Sequence, residues 1–161
     1  MLKTLGAIAL IILIAAPAAV LIAGQLNLLS GHRPADLGAR DGKLKPPRAS
    51  AWNTVSSQAA LHPHTEYHAI APLAYRGDGK AAFARLASVV RAQEGANIIT
   101  AEPGYLYAEF RTKWLRFVDD VEFLLDEQAG VIHMRSASRL GRKDFGANRA
   151  RLEAIREKFN Q

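Results

Sequence analysis

The hairpin predicted over residues Phe117–Arg139 constrains the fold of this chain more than any other segment. Apolar and polar residues alternate on both sides of a polar four-residue stretch at positions 127–130, a pattern typical of two β-strands joined by a turn. The apolar faces of the two arms coincide only if Phe123 lies beside Met134, because a one-residue slip would turn the whole apolar set outward. The pattern therefore predicts the register of the hairpin as well as its existence.

The same hairpin carries many charges for a segment that must also supply core residues. In the predicted register Glu122 lies directly opposite Arg135, and opposite charges paired across strands contribute about 0.2–1 kcal/mol. Asp120 shares a strand face with Glu122, whereas Asp119 points toward the predicted core. A buried carboxylate is costly unless it is paired, so Asp119 needs a partner, and Arg139 or the backbone amides near it are the expected ones.

The remaining patterns after residue 50 predict an α+β domain in the order strand, helix, four strands, helix. They indicate a short strand at Glu66–Ile70, an amphipathic helix within residues 77–95 and a hairpin that turns at Pro103–Gly104. A last helix follows Asp144, which is a suitable N-cap. We therefore expect a curved antiparallel sheet packed against two helices on one of its faces. The apolar face of the first hairpin is predicted to contain Ile99, Ala101, Leu106, Ala108 and Phe110.

The segment Leu5–Gly24 is uncharged and predominantly apolar. As a helix it would be about 30 Å long, which matches the hydrocarbon core of a bilayer. Residues 1–25 are therefore predicted to be a single-pass transmembrane anchor, with an N-terminal signal sequence as the alternative, and residues 5–24 to contact the lipid bilayer. Since the short leader before the apolar run carries Lys3, we expect an inner-membrane protein whose C-terminal domain lies on the periplasmic or extracytoplasmic side. The basic residues Arg33, Arg40 and Lys43 after the span favour the alternative, a cytoplasmic domain, by the positive-inside rule.

Residues 26–50 are rich in proline and glycine and lack apolar periodicity, so they are predicted to be a flexible tether to a domain at 51–161. The chain has no cysteine, which excludes disulfides and thiolate metal sites. From His133 onward there are eight basic and three acidic residues, which is five of the six net positive charges. This imbalance predicts internal ion pairs or an anionic partner such as lipid headgroups, whereas nucleic acid is disfavoured because no aromatic stacking platform accompanies it.

Four sequence motifs resemble a bacterial and plastid family known only as domain of unknown function 1499. They are RPADLG at Arg33–Gly38, NTVSSQA at Asn53–Ala59, FVDDVEF at Phe117–Phe123 and a long basic motif at Arg135–Arg156. The resemblance covers nearly all of the chain after the apolar segment. It implies a membrane-anchored or envelope-directed protein but no established reaction. The family typically has cysteine where this chain has Thr54, so a thiol-dependent role is not expected.

The charged residues of the predicted hairpin and last helix permit two chemical interpretations. In the first, acidic and basic side chains neutralise one another in a structural network. In the second, Asp120 and Glu122, with His133 diagonally near, hold a divalent metal or perform general acid–base catalysis. We favour the network, because both signs occur at matching heights of the hairpin. The candidate polar cluster comprises Asp119, Asp120, Glu122, Arg135, Ser136, Ser138, Arg139, Asn148 and Arg149.

A third interpretation concerns the arginines at the start of the last helix. Arg139, Arg142 and Arg149 could bind a phosphate or carboxylate group there, together with backbone amides of the helix N-terminus. The sequence contains no nucleophile-elbow motif and leaves any catalytic residues unknown, and we expect no cofactor. We therefore expect a non-enzymatic binding or assembly module in the cell envelope, whose partner is another envelope protein or an amphiphile held between sheet and helices.

Overall fold

The computed structural model describes residues 2–161 and has an α+β fold, as the sequence predicts. The helices are α1 (Leu2–Gln25), α2 (Gly79–Arg91) and α3 (Ala147–Phe159). The strands are β1 (Thr54–Ser56), β2 (Leu73–Ala74), β3 (Ala96–Glu102), β4 (Tyr105–Arg111), β5 (Val118–Asp126) and β6 (Val131–Ser138). All strand pairs are antiparallel, in the order β1-β6-β5-β4-β3, and β2 pairs with β6 beyond the end of β1.

The register predicted for the hairpin of β5 and β6 is confirmed. Phe123 pairs with Met134 and Glu122 with Arg135, around a loop at residues 127–130. The side chains of Phe123 and Met134 are fully buried. Since these residues alternate along each strand, the hairpin places one set of side chains in the core and the other on the opposite face of the sheet.

The hairpin of β3 and β4 differs from the prediction along β3. Ala101 pairs with Leu106 as expected, but a bulge between Ile98 and Thr100 shifts the register, so that Ile98 faces Ala108. The predicted placement of Ile99 on the same face as Ala108 is therefore wrong. A bulge inserts one residue into one strand and inverts the alternation beyond it, and the local sequence has no glycine to mark the position.

The predicted strand at Glu66–Ile70 is also wrong. Glu66–His68 is a single turn of 3₁₀ helix, and the strands nearby are β1 and β2. The side chain of His68 explains the difference, because its Nδ1 accepts a hydrogen bond from the amide of Thr65 at 2.9 Å and its Nε2 contacts the carbonyl of Ala51 at 2.9 Å. A buried histidine thus replaces the cross-strand partners that a strand would need.

The core lies between one face of the sheet and the two helices of the domain. α2 contributes Phe83, Leu86 and Val90, and α3 contributes Leu152 and other residues at helical spacing. They pack in one cluster against the apolar residues of β4, β5 and β6. The prediction that both helices pack against the sheet on one face is therefore confirmed.

Helix α1 is, among residues 2–161, the one helix long and apolar enough to cross a membrane. An 18-residue window within Thr4–Gln25 has a mean hydropathy of 2.8, and none of its residues is buried against the rest of the chain. Pro17 lies inside the helix without ending it. At its C-terminal end α1 contacts the loop between β4 and β5, where a Cβ on Gly24 would lie 2.7 Å from the carbonyl oxygen of Leu115.

The segment predicted to be a tether, residues 26–50, crosses the face of the sheet opposite the helices, and we call it the crossing segment. Arg33 reaches Glu109 of β4, and the amide of Gly38 donates to Glu122 of β5 at 2.9 Å. Further along, Leu44 is buried and its amide donates to Gln58 at 2.8 Å. Polar backbone and side-chain contacts, which leave no apolar periodicity in the sequence, thus connect this segment to the domain.

Candidate functional site

The face of the sheet opposite the helices is built almost entirely from polar side chains. Strand alternation alone places them there, because every second residue of β4, β5 and β6 points to that side. The register places Glu122 opposite Arg135, a pair of unlike charges, and opposite Tyr107 on its other side. It also places Glu109 opposite Asp120, so that two carboxylates lie side by side. We call this set the polar face: Tyr105, Tyr107, Glu109, Asp120, Glu122, His133, Arg135 and Arg139.

Glu122 is the most deeply buried carboxylate of the polar face, with 0% of its side chain exposed. Its Oε2 accepts from Nη1 of Arg135 at 2.8 Å. Its Oε1 accepts from the hydroxyl of Tyr105 and from the amide of Gly38, both at 2.9 Å. Both carboxylate oxygens are thus occupied, which leaves Glu122 without a free lone pair directed at solvent.

Asp120 and Arg139 form a second pair. Nη2 of Arg139 lies 2.7 Å from Oδ1 of Asp120, and its Nε lies 3.1 Å from each carboxylate oxygen. The hydroxyl of Tyr107 also donates to Asp120 at 2.6 Å. Burial lowers the pKa of Arg139, but hydrogen bonds to Asp120 and Glu109 outweigh it and hold that pKa above the ordinary value. Arg139 therefore stays charged.

Glu109 joins two arginines and was missed by sequence reasoning. Its Oε1 accepts from Nη2 of Arg139 at 2.5 Å and from Nη2 of Arg33 at 2.6 Å. Burial alone would raise the pKa of Glu109, yet these two guanidinium groups hold it below its ordinary value. The signal for Glu109 was present in the alternation of β4, since its register places it opposite Asp120, where two carboxylates require a shared cation.

The two tyrosines of the polar face complete the network as donors. Burial, with the adjacent carboxylate Glu122, raises the pKa of Tyr105. Burial, with a hydrogen bond to Asp120, likewise raises the pKa of Tyr107. Both phenols therefore stay protonated and donate to the carboxylates, which suits a structural role better than proton transfer near neutral pH.

A second polar cluster lies on the core face, between the sheet and α3. Here Asp119 pairs with Arg151, whose Nη2 is 2.5 Å from Oδ2, so the expectation that Arg139 or nearby amides would be its partner is wrong. Ser136 contacts Asn148 at 2.5 Å. The amide group of Asn148 also donates to the hydroxyl of Ser138 at 2.9 Å. These contacts join α3 to β5 and β6.

The start of α3 depends on Asp144. Its Oδ1 accepts from the amide of Gly146 at 3.1 Å and its Oδ2 from the amide of Asn148 at 3.0 Å. The hydroxyl of Tyr67 donates to the same carboxylate. Burial would raise the pKa of Asp144, but these donors hold it below its ordinary value. Burial and the nearby charge of Asp144 raise the pKa of Tyr67 to about 12.

The nine predicted cluster residues therefore divide between the two faces of the sheet. Asp120, Glu122, Arg135 and Arg139 come together on the polar face. Asp119, Ser136, Ser138 and Asn148 come together beside α3. Arg149 joins neither set, since its Nη2 donates to the carbonyls of Tyr67 and Ala69, both at 2.8 Å.

The three arginines predicted to bind an anion at the start of α3 do not converge. Arg139 is held by Asp120 and Glu109 on the polar face. Arg142 donates to the carbonyl of Ser50 at 3.2 Å, and Arg149 donates to carbonyls of the 3₁₀ segment. Each guanidinium is held at a different place: Arg139 on the strands, Arg142 at Ser50 and Arg149 at the 3₁₀ segment.

The residues considered for a metal site are also distributed. His133 lies opposite Leu124, as predicted, but its Nδ1 is 3.2 Å from the hydroxyl of Ser57 and its Nε2 is 3.7 Å from Asp126. It thus shares a face with Asp120 and Glu122, but both of its ring nitrogens lie beside other partners. Throughout residues 2–161, no three His, Cys, Asp or Glu side chains lie close enough together to hold a metal ion.

An open apolar cleft lies between α2 and the turn that joins β3 to β4. It has a volume of about 580 Å³. Phe83, Ala84 and Ala87 of α2 form one wall, with Leu106 and Leu125 of the sheet opposite. Lys80, Glu102 and Glu127 also line the cleft, so it combines an apolar lining with charged groups.

A smaller, polar cavity lies on the other face of the sheet, under the segment that crosses the polar face. Its volume is about 250 Å³. The cavity is lined on one side by β6 and on the other by residues of the crossing segment. Its lining comprises His32, Pro34, Lys45, Pro46, Arg48, Thr54, Asp120, Arg135, Ala137, Ser138 and Arg139.

The loop between β4 and β5 connects the domain to the end of α1. Gln25 donates from its side chain to the carbonyl of Trp114 at 2.9 Å. Asn27 accepts from Arg111 at 2.7 Å and from Arg116 at 3.2 Å. Trp114 itself is 67% exposed. An exposed tryptophan among basic residues, at the end of an apolar helix, is typical of side chains at a membrane–water interface.

One family profile, described as "Protein of unknown function (DUF1499)", matches residues 46–159. The match includes every strand of the sheet and both helices of the domain. It begins after the RPADLG motif at Arg33–Gly38, which therefore lies outside it. No curated protein and no solved structure matches the chain.

Proposed function

This chain belongs to the DUF1499 family of proteins of unknown function, and we propose that it is a membrane-anchored binding module of the cell envelope, without enzymatic activity. The observation that carries the proposal is the apolar cleft beside α2. Its volume of about 580 Å³ lies within the roughly 300–1,000 Å³ of small-molecule sites. Its apolar walls and charged lining residues suit an amphiphile with a hydrocarbon chain and a polar head.

The charged residues of the polar face are better suited to a structural role than to catalysis. Its carboxylates are matched by guanidinium groups: Glu122 by Arg135, and Asp120 by Arg139. Paired and buried in this way, they serve to hold the sheet together. The metal-assisted alternative at Asp120, Glu122 and His133 is less favoured, because His133 is turned toward Ser57 and Asp126.

The contacts at the end of α1 support a domain that sits close to the bilayer. α1 is long and apolar enough to span a membrane, and the loop with Trp114 packs against its C-terminal end. We propose that the domain lies on the extracytoplasmic side of the inner membrane, with this loop at the headgroup level. The cleft beside Pro103–Gly104 then lies at the far end of β4 from the bilayer.

The proposal is tested with the full chain in nanodiscs and a long-chain fatty acid that carries a photoactivatable group. Cross-linked peptides are mapped by mass spectrometry. We expect labelling of peptides from α2 and the β3–β4 turn, in addition to α1. Ala84→Trp fills the cleft and should weaken binding there about tenfold, which corresponds to a loss of about 1.4 kcal/mol.

Ala150→Trp is the matched control, because it makes the same substitution on an exposed position of α3. It should leave the labelling of α2 unchanged. Labelling confined to α1, or labelling of α2 that Ala84→Trp does not reduce, would show that the fatty acid dissolves in the bilayer and does not use the cleft.

A further inference from the structure

The small polar cavity on the opposite face of the sheet has a separate chemical character. Its volume of about 250 Å³ is below the roughly 300–1,000 Å³ typical of drug-sized ligands. Four basic side chains line it, Lys45, Arg48, Arg135 and Arg139, against one carboxylate, Asp120. The cavity is therefore small and predominantly cationic, which suits a small anion.

Arg135 has donors that the protein itself does not use. Its side chain is only 5% exposed, and its Nη1 is bound to Glu122. Its Nε is buried and has no hydrogen-bond partner within residues 2–161. A guanidinium offers five N–H donors, and buried donors are nearly always satisfied in folded proteins. An unsatisfied donor at the wall of a polar cavity is available to a bound anion.

The opposite wall adds a cation that is free to move. Arg48 is exposed, and its guanidinium forms no ion pair or hydrogen bond with any part of the chain that the structure describes. Lys45, by contrast, is already paired with Asp36. Arg139 is likewise engaged, and it holds both oxygens of Asp120, so that carboxylate is neutralised where it borders the cavity. Arg48 thus offers an unpaired charge, and Arg135, whose charge is balanced by Glu122, offers the unused N–H of its Nε.

We infer that this cavity binds a phosphate group, either as free phosphate or as the phosphate of a lipid headgroup. Guanidinium groups on both walls face the cavity: Arg48 of the crossing segment on one side and Arg135 of β6 on the other. A tetrahedral oxyanion accepts from such an arrangement with three or four oxygens, whereas a planar carboxylate is satisfied by one bidentate arginine. The site is built from β6 and the crossing segment, and it shares no residue with the apolar cleft.

The position of the cavity allows either source of phosphate. His32 lies on its wall, seven residues after the last residue of α1, so the cavity is at most about 25 Å from the end of the membrane helix. Gly31 packs against Arg139, where an added Cβ would lie 2.8 Å from that side chain. A lipid at the membrane surface and a soluble phosphate are thus both within reach.

The test uses the full chain in phosphatidylcholine nanodiscs and inorganic phosphate as the probe, with binding measured by calorimetry. Arg48→Gln should weaken phosphate binding about tenfold, since it removes one charge-assisted contact without disturbing the buried pairs. Ala137→Leu should abolish binding by filling the cavity while it leaves every charge in place. Arg91→Gln, an exposed arginine of α2, makes the same change in net charge and should leave binding unchanged.

Nanodiscs that contain phosphatidic acid distinguish the two sources. If the site takes a lipid headgroup, these nanodiscs stabilise the wild-type chain but not Arg48→Gln, and they prevent binding of inorganic phosphate. If the site takes free phosphate, inorganic phosphate binds equally in both kinds of nanodisc. The inference is overturned if inorganic phosphate and phosphatidic acid both leave the chain unaffected, or if Ala137→Leu and Arg48→Gln bind phosphate as the wild type does.

Discussion

The two faces of the sheet are sealed by different physical means. On one face, α2 and α3 bury apolar side chains such as Phe123 and Met134 in a continuous core. On the other face, a segment without regular structure covers carboxylates and guanidinium groups that neutralise one another. Apolar burial is non-directional and tolerates repacking, whereas a buried ion pair depends on the position of each atom. We therefore expect the polar face to tolerate fewer kinds of substitution than the core face.

Adjacent residues of β5 offer the sharpest test of this comparison and the largest expected effect. Glu122→Gln should lower the free energy of unfolding by about 3–5 kcal/mol, because it leaves Arg135 buried without a counter-charge. Phe123→Ala, one residue along on the core face, should cost about 3–5 kcal/mol through lost burial and a cavity. Chemical denaturation followed by circular dichroism measures both.

Glu153→Gln is the control for the change from Glu to Gln. Glu153 is 48% exposed and pairs with Arg156 on the same helix, so its substitution should change stability by no more than about 1 kcal/mol. If Glu122→Gln cost as little as Glu153→Gln, the polar face would be a dispensable surface, and the proposed structural role of its ion pairs would fail.

The crossing segment provides a test of intermediate size. Arg33→Gln removes the ion pair with Glu109, and since Arg33 is half exposed the expected loss of stability is about 1 kcal/mol. Hydrogen exchange of residues 31–45 should accelerate more than exchange of the core strands. Arg40→Gln, in the same segment, changes an exposed side chain and should leave exchange unchanged. Equal exchange rates in both variants would mean that Arg33 does not fasten the segment.

The smallest expected effect is a dependence of stability on acid. The pKa of Glu109 is held below its ordinary value of 4.5 by Arg139 and Arg33. A carboxyl whose pKa is depressed by folding stabilises the protein above its unfolded pKa, and this contribution is lost as the pH falls through the folded value. We therefore expect the free energy of unfolding to decline below about pH 4.5, and Glu109→Gln to flatten that decline. An identical acid profile for the wild type and Glu109→Gln would contradict this assignment.

The apolar half of this fold was predictable from the sequence. Phe123 and Met134 fix the register of the β5–β6 hairpin, and that register alone places Glu122 against Arg135. Local patterns suffice here because apolar alternation and helical spacing record which side of an element is buried. The bulge at Ile99 escaped prediction, since it adds one residue without changing the composition of β3.

The polar half was predictable only where partners are close in sequence. Arg151 reaches Asp119 from α3, and Arg33 reaches Glu109 from 76 residues away. Such pairs leave no periodic signal in the sequence. Until the fold is known, nothing shows which of several distant arginines will lie beside a given carboxylate. The sequence predicts a flexible tether in the crossing segment for the same reason. Its contacts with the domain are made by the backbone amides of Gly38 and Leu44, and such contacts produce no periodic pattern in the sequence.

The junction at Gly24 has a mechanical consequence. The helix approaches the backbone of Leu115 so closely that even a methyl group at Gly24 would collide with it. Three hydrogen bonds flank the junction: Gln25 donates one, and Asn27 accepts two. Such close packing restricts the rotation of α1 relative to the domain. In the proposed membrane-anchored arrangement, a change of bilayer thickness that tilts α1 should tilt the sheet with it. Lipid composition would then set the height of the proposed ligand sites above the bilayer.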